Sequence, residues 1–131
     1  MALLPVTLTA AAAAAILNIW LMVRVGRVRA AEKVFVGDDG NENVIRRMRA
    51  HANFTENAPF VLILIAAIEL TGKGEPWLAY VAGLFIIGRV MHGFGMDGGS
   101  FAKGRMIGTI ISMLTLIGLA VVAVLIAAGV M

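Results

Sequence analysis

The 131-residue chain contains no cysteine. A disulfide framework, a thiolate nucleophile of its own and a cysteine-ligated metal are thereby excluded. Histidine is almost as scarce: His51 and His92 are the only two and lie far apart, so no metal centre is expected. There is one tyrosine, Tyr80. Charged residues make up 15% of the chain and hydrophobic ones 60%, with a mean hydropathy of +0.92. Soluble domains hold roughly 45–50% apolar residues, and a chain that allows a single domain has no interior large enough to hide this excess. The composition places the chain in a bilayer.

The pI is about 10.0, which raises the question of nucleic acid. The basic residues flank apolar runs and no zinc or aromatic recognition module accompanies them, so they report membrane topology and no nucleic-acid partner is expected.

Four apolar segments stand out, at about residues 3–23, 53–71, 77–93 and 106–131. Each approaches or reaches the roughly 17–25 residues that cross a hydrocarbon core. Alternation is absent, which excludes a barrel and leaves helices as the only structure that satisfies its backbone groups in lipid. The first segment lacks a basic stretch before it and is followed by arginines, so it reads as a retained transmembrane helix. Its alanine-rich helix is expected to continue past the membrane to about residue 33. After the turn signal Gly37-Asp38-Asp39-Gly40-Asn41 a second helix starts near Asn43. The fold predicted is an all-α membrane protein, a four-transmembrane-helix bundle with helices at about 3–33, 43–71, 77–95 and 104–130. Loops 1 and 3 share one side, which collects ten of the eleven Lys and Arg residues; only Lys73 lies opposite. The positive-inside rule makes that side cytoplasmic and both termini periplasmic.

The chemistry concentrates at Arg49-Ala-His-Ala-Asn53-Phe-Thr-Glu56-Asn57-Ala-Pro59. On a helix, Arg49, Asn53 and Glu56 share a face, with Arg46 one turn before, Asn57 beside them and Pro59 able to bend the axis. Ionisable groups at membrane depth are costly and mark functional sites. One reading is a pocket in which Arg49 grips a carboxylate, Asn53 offers donor and acceptor, and Glu56 holds an ammonium or orients Arg49. The other is an interhelical network with Arg49 and Glu56 paired to each other.

Among the remaining charges, Arg24 and Arg29 read as a lipid-headgroup belt, while Arg27 is able to turn toward the second helix. Arg89 and His92, one turn apart, either snorkel to the interface or join the same pocket. Lys103 and Arg105 open the fourth helix, where the dipole disfavours cations, so an anion is expected beside them. Glu69, next to the short second turn, is expected to face water. Gly104 and Gly108 form a GxxxG pair compatible with close packing.

The pattern R-x-x-x-N-x-x-E-x-x-P over Arg49–Pro59, together with Gly-Arg89-Val-Met-His92-Gly, resembles the MAPEG family (membrane-associated proteins in eicosanoid and glutathione metabolism), most closely its small bacterial members. The resemblance implies a homotrimer, with glutathione as co-substrate bound between subunits at the cytoplasmic side of a bacterial inner membrane. A lipophilic small molecule would reach the site from the membrane lipids. It implies that Arg27, Arg49, Asn53, Glu56, Asn57, Arg89, His92 and Lys103 bind glutathione or a similar anion, and that Arg105, or Lys103 in its place because the loop length differs, is catalytic, stabilising the thiolate. Where the family's synthases carry tyrosines, this chain has Asn57, His92 and Met96. The expected function is a glutathione- or thiol-dependent transferase or peroxidase acting on a lipophilic electrophile. The alternative is a non-enzymatic binding or scaffold protein that keeps the fold. A transporter would need a polar path that the first and fourth helices hardly provide.

Overall fold

A computed structural model describes residues 3–131. Four α-helices follow one another: α1 (Pro5–Glu32), α2 (Glu42–Leu70), α3 (Trp77–Gly95) and α4 (Lys103–Ala127). A short 3₁₀ turn, Gly99–Phe101, precedes α4. All four helices are long and apolar enough to cross a membrane. The protein is an all-helical membrane protein.

Local chemistry sets the helix ends. Pro5 occupies the first turn of α1, where its missing N–H costs nothing. The next donors, Val6 N and Thr7 N, give their hydrogen bonds to Glu69 at 2.8 and 2.7 Å, and Thr7 Oγ1 adds another at 2.6 Å. Glu69 is therefore a cap reaching across from the end of α2, and the expectation of a solvated side chain is corrected. A carboxylate is the strongest acceptor available for exposed N–H groups at a positive helix pole. At the far end, Lys33 adopts a left-handed φ of 58° and Val34 N closes the helix on Arg29 O. Asn41 caps α2 by accepting from Val44 N at 3.1 Å. α4 stops at Ala127, short of the residue 130 expected from the apolar run, because Gly129 turns left-handed and returns Val130 N to Leu125 O.

The helices form a ring in the order α1, α2, α4, α3, with α2 also touching α3 across the middle. Connections 33–41 and 96–102 lie at one end; the 71–76 turn, the start of α1 and the end of α4 lie at the other. The core is built from Leu17 and Leu21 of α1, Phe54, Val61, Ile65 and Ile68 of α2, Leu78 and Phe85 of α3, and Leu119 of α4. Many large apolar side chains point outward, among them Ile16, Ile63, Ile87 and Leu114, as a hydrocarbon solvent allows. Lipid removes the usual drive to hide apolar surface, so close approach of small residues must hold the helices together. The α3–α4 seam does this with glycine. A Cβ on Gly108 would collide with the Gly88 carbonyl and with His92, and one on Gly95 with the backbone of Gly104 and Arg105. The GxxxG pair is thus part of a seam that brings α4 against the polar end of α3.

Candidate functional site

The α3–α4 seam places Ser112 opposite Arg89. Arg89 is 1% exposed. Its Nη1 donates to Ser112 Oγ at 3.0 Å, and its Nη2 donates to Asn53 Oδ1 of α2 at 2.7 Å. Ser112 Oγ in turn donates a hydrogen bond to Gly108 O at 2.9 Å. His92 sits one turn along α3, also buried, with Nδ1 3.4 Å from Arg89 Nη2. A guanidinium only donates, so Nδ1 takes the acceptor role and Nε2 carries the ring proton. Asn57 Nδ2 donates to Asn53 O at 2.7 Å and steadies the same turn of α2. The snorkelling alternative for Arg89 and His92 is corrected: both point into the bundle, because α4 approaches closely enough to supply Ser112.

The charge balance of this cluster is one-sided. Asn53, Ser112 and His92 are neutral partners, and Arg89 Nε has no acceptor. No carboxylate forms an ion pair with Arg89 among the described residues. A buried cation of this kind carries a desolvation cost of several kcal/mol that neutral dipoles offset only in part.

The sequence candidates separate into two groups. Asn53, Asn57, Arg89 and His92 meet in this cluster. Arg27, Arg49, Glu56, Lys103 and Arg105 are exposed on the single chain. Arg49 and Glu56 are not paired with each other, so the internally compensated network is not what this chain forms. They lie on an open face of α2 that continues through Phe60, Ile63, Ala67 and Leu70. Asn53 stands at the edge of that face, half-buried. Its carboxamide oxygen accepts from Arg89 Nη2 at 2.7 Å and from Asn57 Nδ2 at 3.5 Å, which leaves its own Nδ2 donor without a partner among the described residues. Arg27 does not turn toward Glu56. Arg105 has its backbone against Gly95 and its side chain in the open, one turn before the Gly108–His92 contact.

Arg24 departs from the headgroup-belt expectation. It is 9% exposed and pairs with Asp97 of the α3–α4 connection, while Nη1 donates to Gly93 O at 2.9 Å. Its Cζ lies 4.8 Å from the Trp20 ring centre and 5.1 Å from that of Phe94. Arg47 approaches the other oxygen of Asp97 at 2.8 Å. A negative residue delivered from the far end of the chain is what draws Arg24 in. Arg29 turns back onto its own loop, donating to Val34 O and Gly37 O at 3.1 and 2.6 Å.

Two polar residues inside apolar runs make contacts across helices that the sequence analysis does not anticipate: Ser112, and Asn18, whose Oδ1 pairs with His51 Nε2 at 2.8 Å. Ser112 extends the four-residue spacing of Gly104 and Gly108, which is the signal that points to it. Asn18 is the lone amide in an alanine-rich span, where an unpartnered amide would be costly.

A sequence model of the MAPEG family matches residues 7–125. This chain belongs to the MAPEG family. It is also 31% identical over 70 residues to the inner membrane protein YecN of Escherichia coli strain K12 and to YecN of Escherichia coli O6:H1. Each match covers 53% of this chain and 53% of the relative. The chain thus spans about half the length of the curated relatives it matches. The cluster around Arg89, the open face of α2 and the Asn18–His51 pair carry polar side chains within the apolar helices of this MAPEG protein.

Proposed function

We propose that this protein is a membrane-embedded, glutathione- or thiol-dependent transferase or peroxidase, acting on a lipophilic electrophile at the end of the bundle that carries loops 1 and 3. The observation that carries the reading is buried Arg89, held by Asn53 and Ser112 with no carboxylate to balance it. A charged peptide carboxylate would supply that balance through the adjoining face. Arg49 would grip the carboxylate bidentately, the Asn53 Nδ2 donor would take an amide carbonyl, and Glu56 would hold an ammonium. The open α2 face, polar at Arg49 and Glu56 and apolar from Phe60 onward, suits a seam with second and third copies of the chain. In a homotrimer that seam would close the pocket.

Within it, Arg105 would favour the thiolate of the bound thiol. The thiolate is the nucleophile, and each pKa unit by which a cation lowers a thiol corresponds to about 1.4 kcal/mol. The thiolate sulfur would bond to the electrophilic carbon as the leaving group departs with the electron pair; the thiol proton goes to solvent. Arg105→Ala is expected to lower turnover of a chromogenic electrophile with glutathione much more than it weakens glutathione binding. Unchanged turnover would remove Arg105 from the reaction.

A second reading, a binding or scaffold protein without catalysis, is favoured by one feature. The sole tyrosine, Tyr80, is 75% exposed in the first turn of α3, remote in sequence from Asn57, His92 and Met96. A saturable heat of glutathione binding without any turnover of electrophiles would select it.

A further inference from the structure

We propose that segment 34–37 is a membrane-surface anchor: Arg29 clamps it to α1, and Phe35 and Val36 enter the lipid headgroup layer on the side of loops 1 and 3. Phe35 is 72% exposed and Val36 90%, whereas Val34, just before them, is buried. Apolar side chains of this size gain by leaving water, and the single chain leaves both uncovered.

The exposure is built into the loop. Lys33 turns left-handed, Val34 N bonds back to Arg29 O at 3.0 Å, and Gly37 turns left-handed again at φ 66°. Arg29 Nη1 then donates to Val34 O and to Gly37 O, one carbonyl on each side of the apolar pair. The chain is folded back toward α1, with Phe35 and Val36 at the crown of the fold. Arg29 Nη2 reaches Met48 Sδ at 3.3 Å. Met48 precedes Arg49, so the same clamp ties the depth of the anchor to the depth of the polar α2 face.

Depth selects the lipid surface as the partner. At about 1.5 Å per residue, a hydrocarbon core of about 30 Å takes about 20 residues of α1, which from Pro5 ends near Arg24. Trp20 and Phe94, edge-on at 5.0 Å beside Arg24, mark that boundary as interfacial aromatics do. Arg29 lies about 8 Å farther along the axis, and the polar layer is about 5–8 Å deep on each side. A loop held back to Arg29 is therefore at the outer edge of that layer, within reach of a phenyl ring. The charges are ordered to match. Arg27 and Lys33, exposed and without an ion pair among the described residues, precede the apolar pair; Asp38, Asp39 and Glu42 follow it at the tip of the hairpin. Glu32, the one acid among the preceding cations, is turned to Asn41 and Asn43. Cations are thus nearest an anionic membrane surface, where they are attracted.

The chain has no cysteine, so one introduced cysteine carries one nitroxide label. The test places the label at Phe35→Cys, at Val36→Cys and, as the reference in water, at Asp39→Cys, each in the full chain in nanodiscs of phosphatidylcholine and phosphatidylglycerol. Electron spin resonance compares collisions with oxygen, which concentrates in lipid, and with a nickel chelate, which stays in water. Oxygen is expected to lead at position 35, at position 36 or at both, and nickel at position 39, with the ratio differing severalfold. Arg29→Ala, which releases the loop, should shift the lipid-like ratio to that of position 39. Nickel in the lead at both 35 and 36 would leave the crown in water and overturn the proposal. Protection from both agents with spin–spin broadening would overturn it in favour of a second copy of the chain. A lipid-like ratio unchanged by Arg29→Ala would overturn the clamp and with it the anchor as proposed.

Discussion

Asn53 on α2 accepts a hydrogen bond from Arg89 on α3 at 2.7 Å, so the amide at the edge of the open face and the buried cation behind it are one unit. Asn53→Ala removes an acceptor from a guanidinium that has no carboxylate to turn to. The cost of leaving a buried charged donor unsatisfied is about 1–3 kcal/mol or more. Ser112→Ala removes the Nη1 acceptor and should cost about as much. Because both act through Arg89, the double substitution should cost less than the sum. Denaturation of the detergent-solubilised variants checks this, and strict additivity would mean that the two contacts do not share Arg89.

Asp97 joins α1 and α2 to the α3–α4 connection through Arg24 and Arg47. Asp97→Asn leaves Arg24 almost buried beside Trp20 and Phe94 without its counter-charge. A loss of about 2–3 kcal/mol is expected, in the range of charge-assisted hydrogen bonds. Arg24→Met should restore part of the stability lost in Asp97→Asn, because it removes the orphaned charge and keeps the packing. Thermal unfolding of the three variants decides it; an Asp97→Asn protein as stable as the parent would contradict the bridge.

Glu69 caps α1 from the end of α2. Glu69→Ala strips three donors of their acceptor and is expected to cost about 1–2 kcal/mol, the scale of an N-cap. Thr7→Val, which keeps the two backbone bonds, should cost less. Hydrogen exchange at the start of α1 should rise in Glu69→Ala and change little in Thr7→Val. Equal exchange in the two variants would count against the cap.

At the α3–α4 seam, Gly108→Ala forces a methyl into the Gly88 carbonyl and the His92 side chain. Overpacking of this sort costs about 1–3 kcal/mol. Separation of the helices would also draw Ser112 away from Arg89. Gly118→Ala is the control, because a Cβ there meets nothing. Similar melting temperatures for Gly108→Ala and Gly118→Ala would contradict the close approach.

The spans were legible because apolar runs bounded by charge have one solution in lipid. The Arg49, Asn53 and Glu56 spacing was legible as one face of α2 for the same geometric reason. What could not be read was which cation turns inward. Arg24 and Arg27 are one helical turn apart in similar surroundings; the choice is made by Asp97, 73 residues away. Glu69 looked solvated because its partner, Thr7, is 62 residues distant and met only when α1 and α2 fold as a hairpin. Ser112 was hidden by being neutral inside an apolar run, although the small residues at 104, 108 and 112 repeat every four positions. Pairing partners across helices are tertiary facts, and periodicity along one helix does not encode them.

Isothermal titration of the purified protein with glutathione tests most directly the proposed binding of a glutathione-like anion at the α2 face beside Arg89. Saturable heat is expected, abolished by Arg49→Ala and much reduced by Asn53→Ala. A flat titration of the folded parent protein, or unchanged binding in both variants, would contradict it.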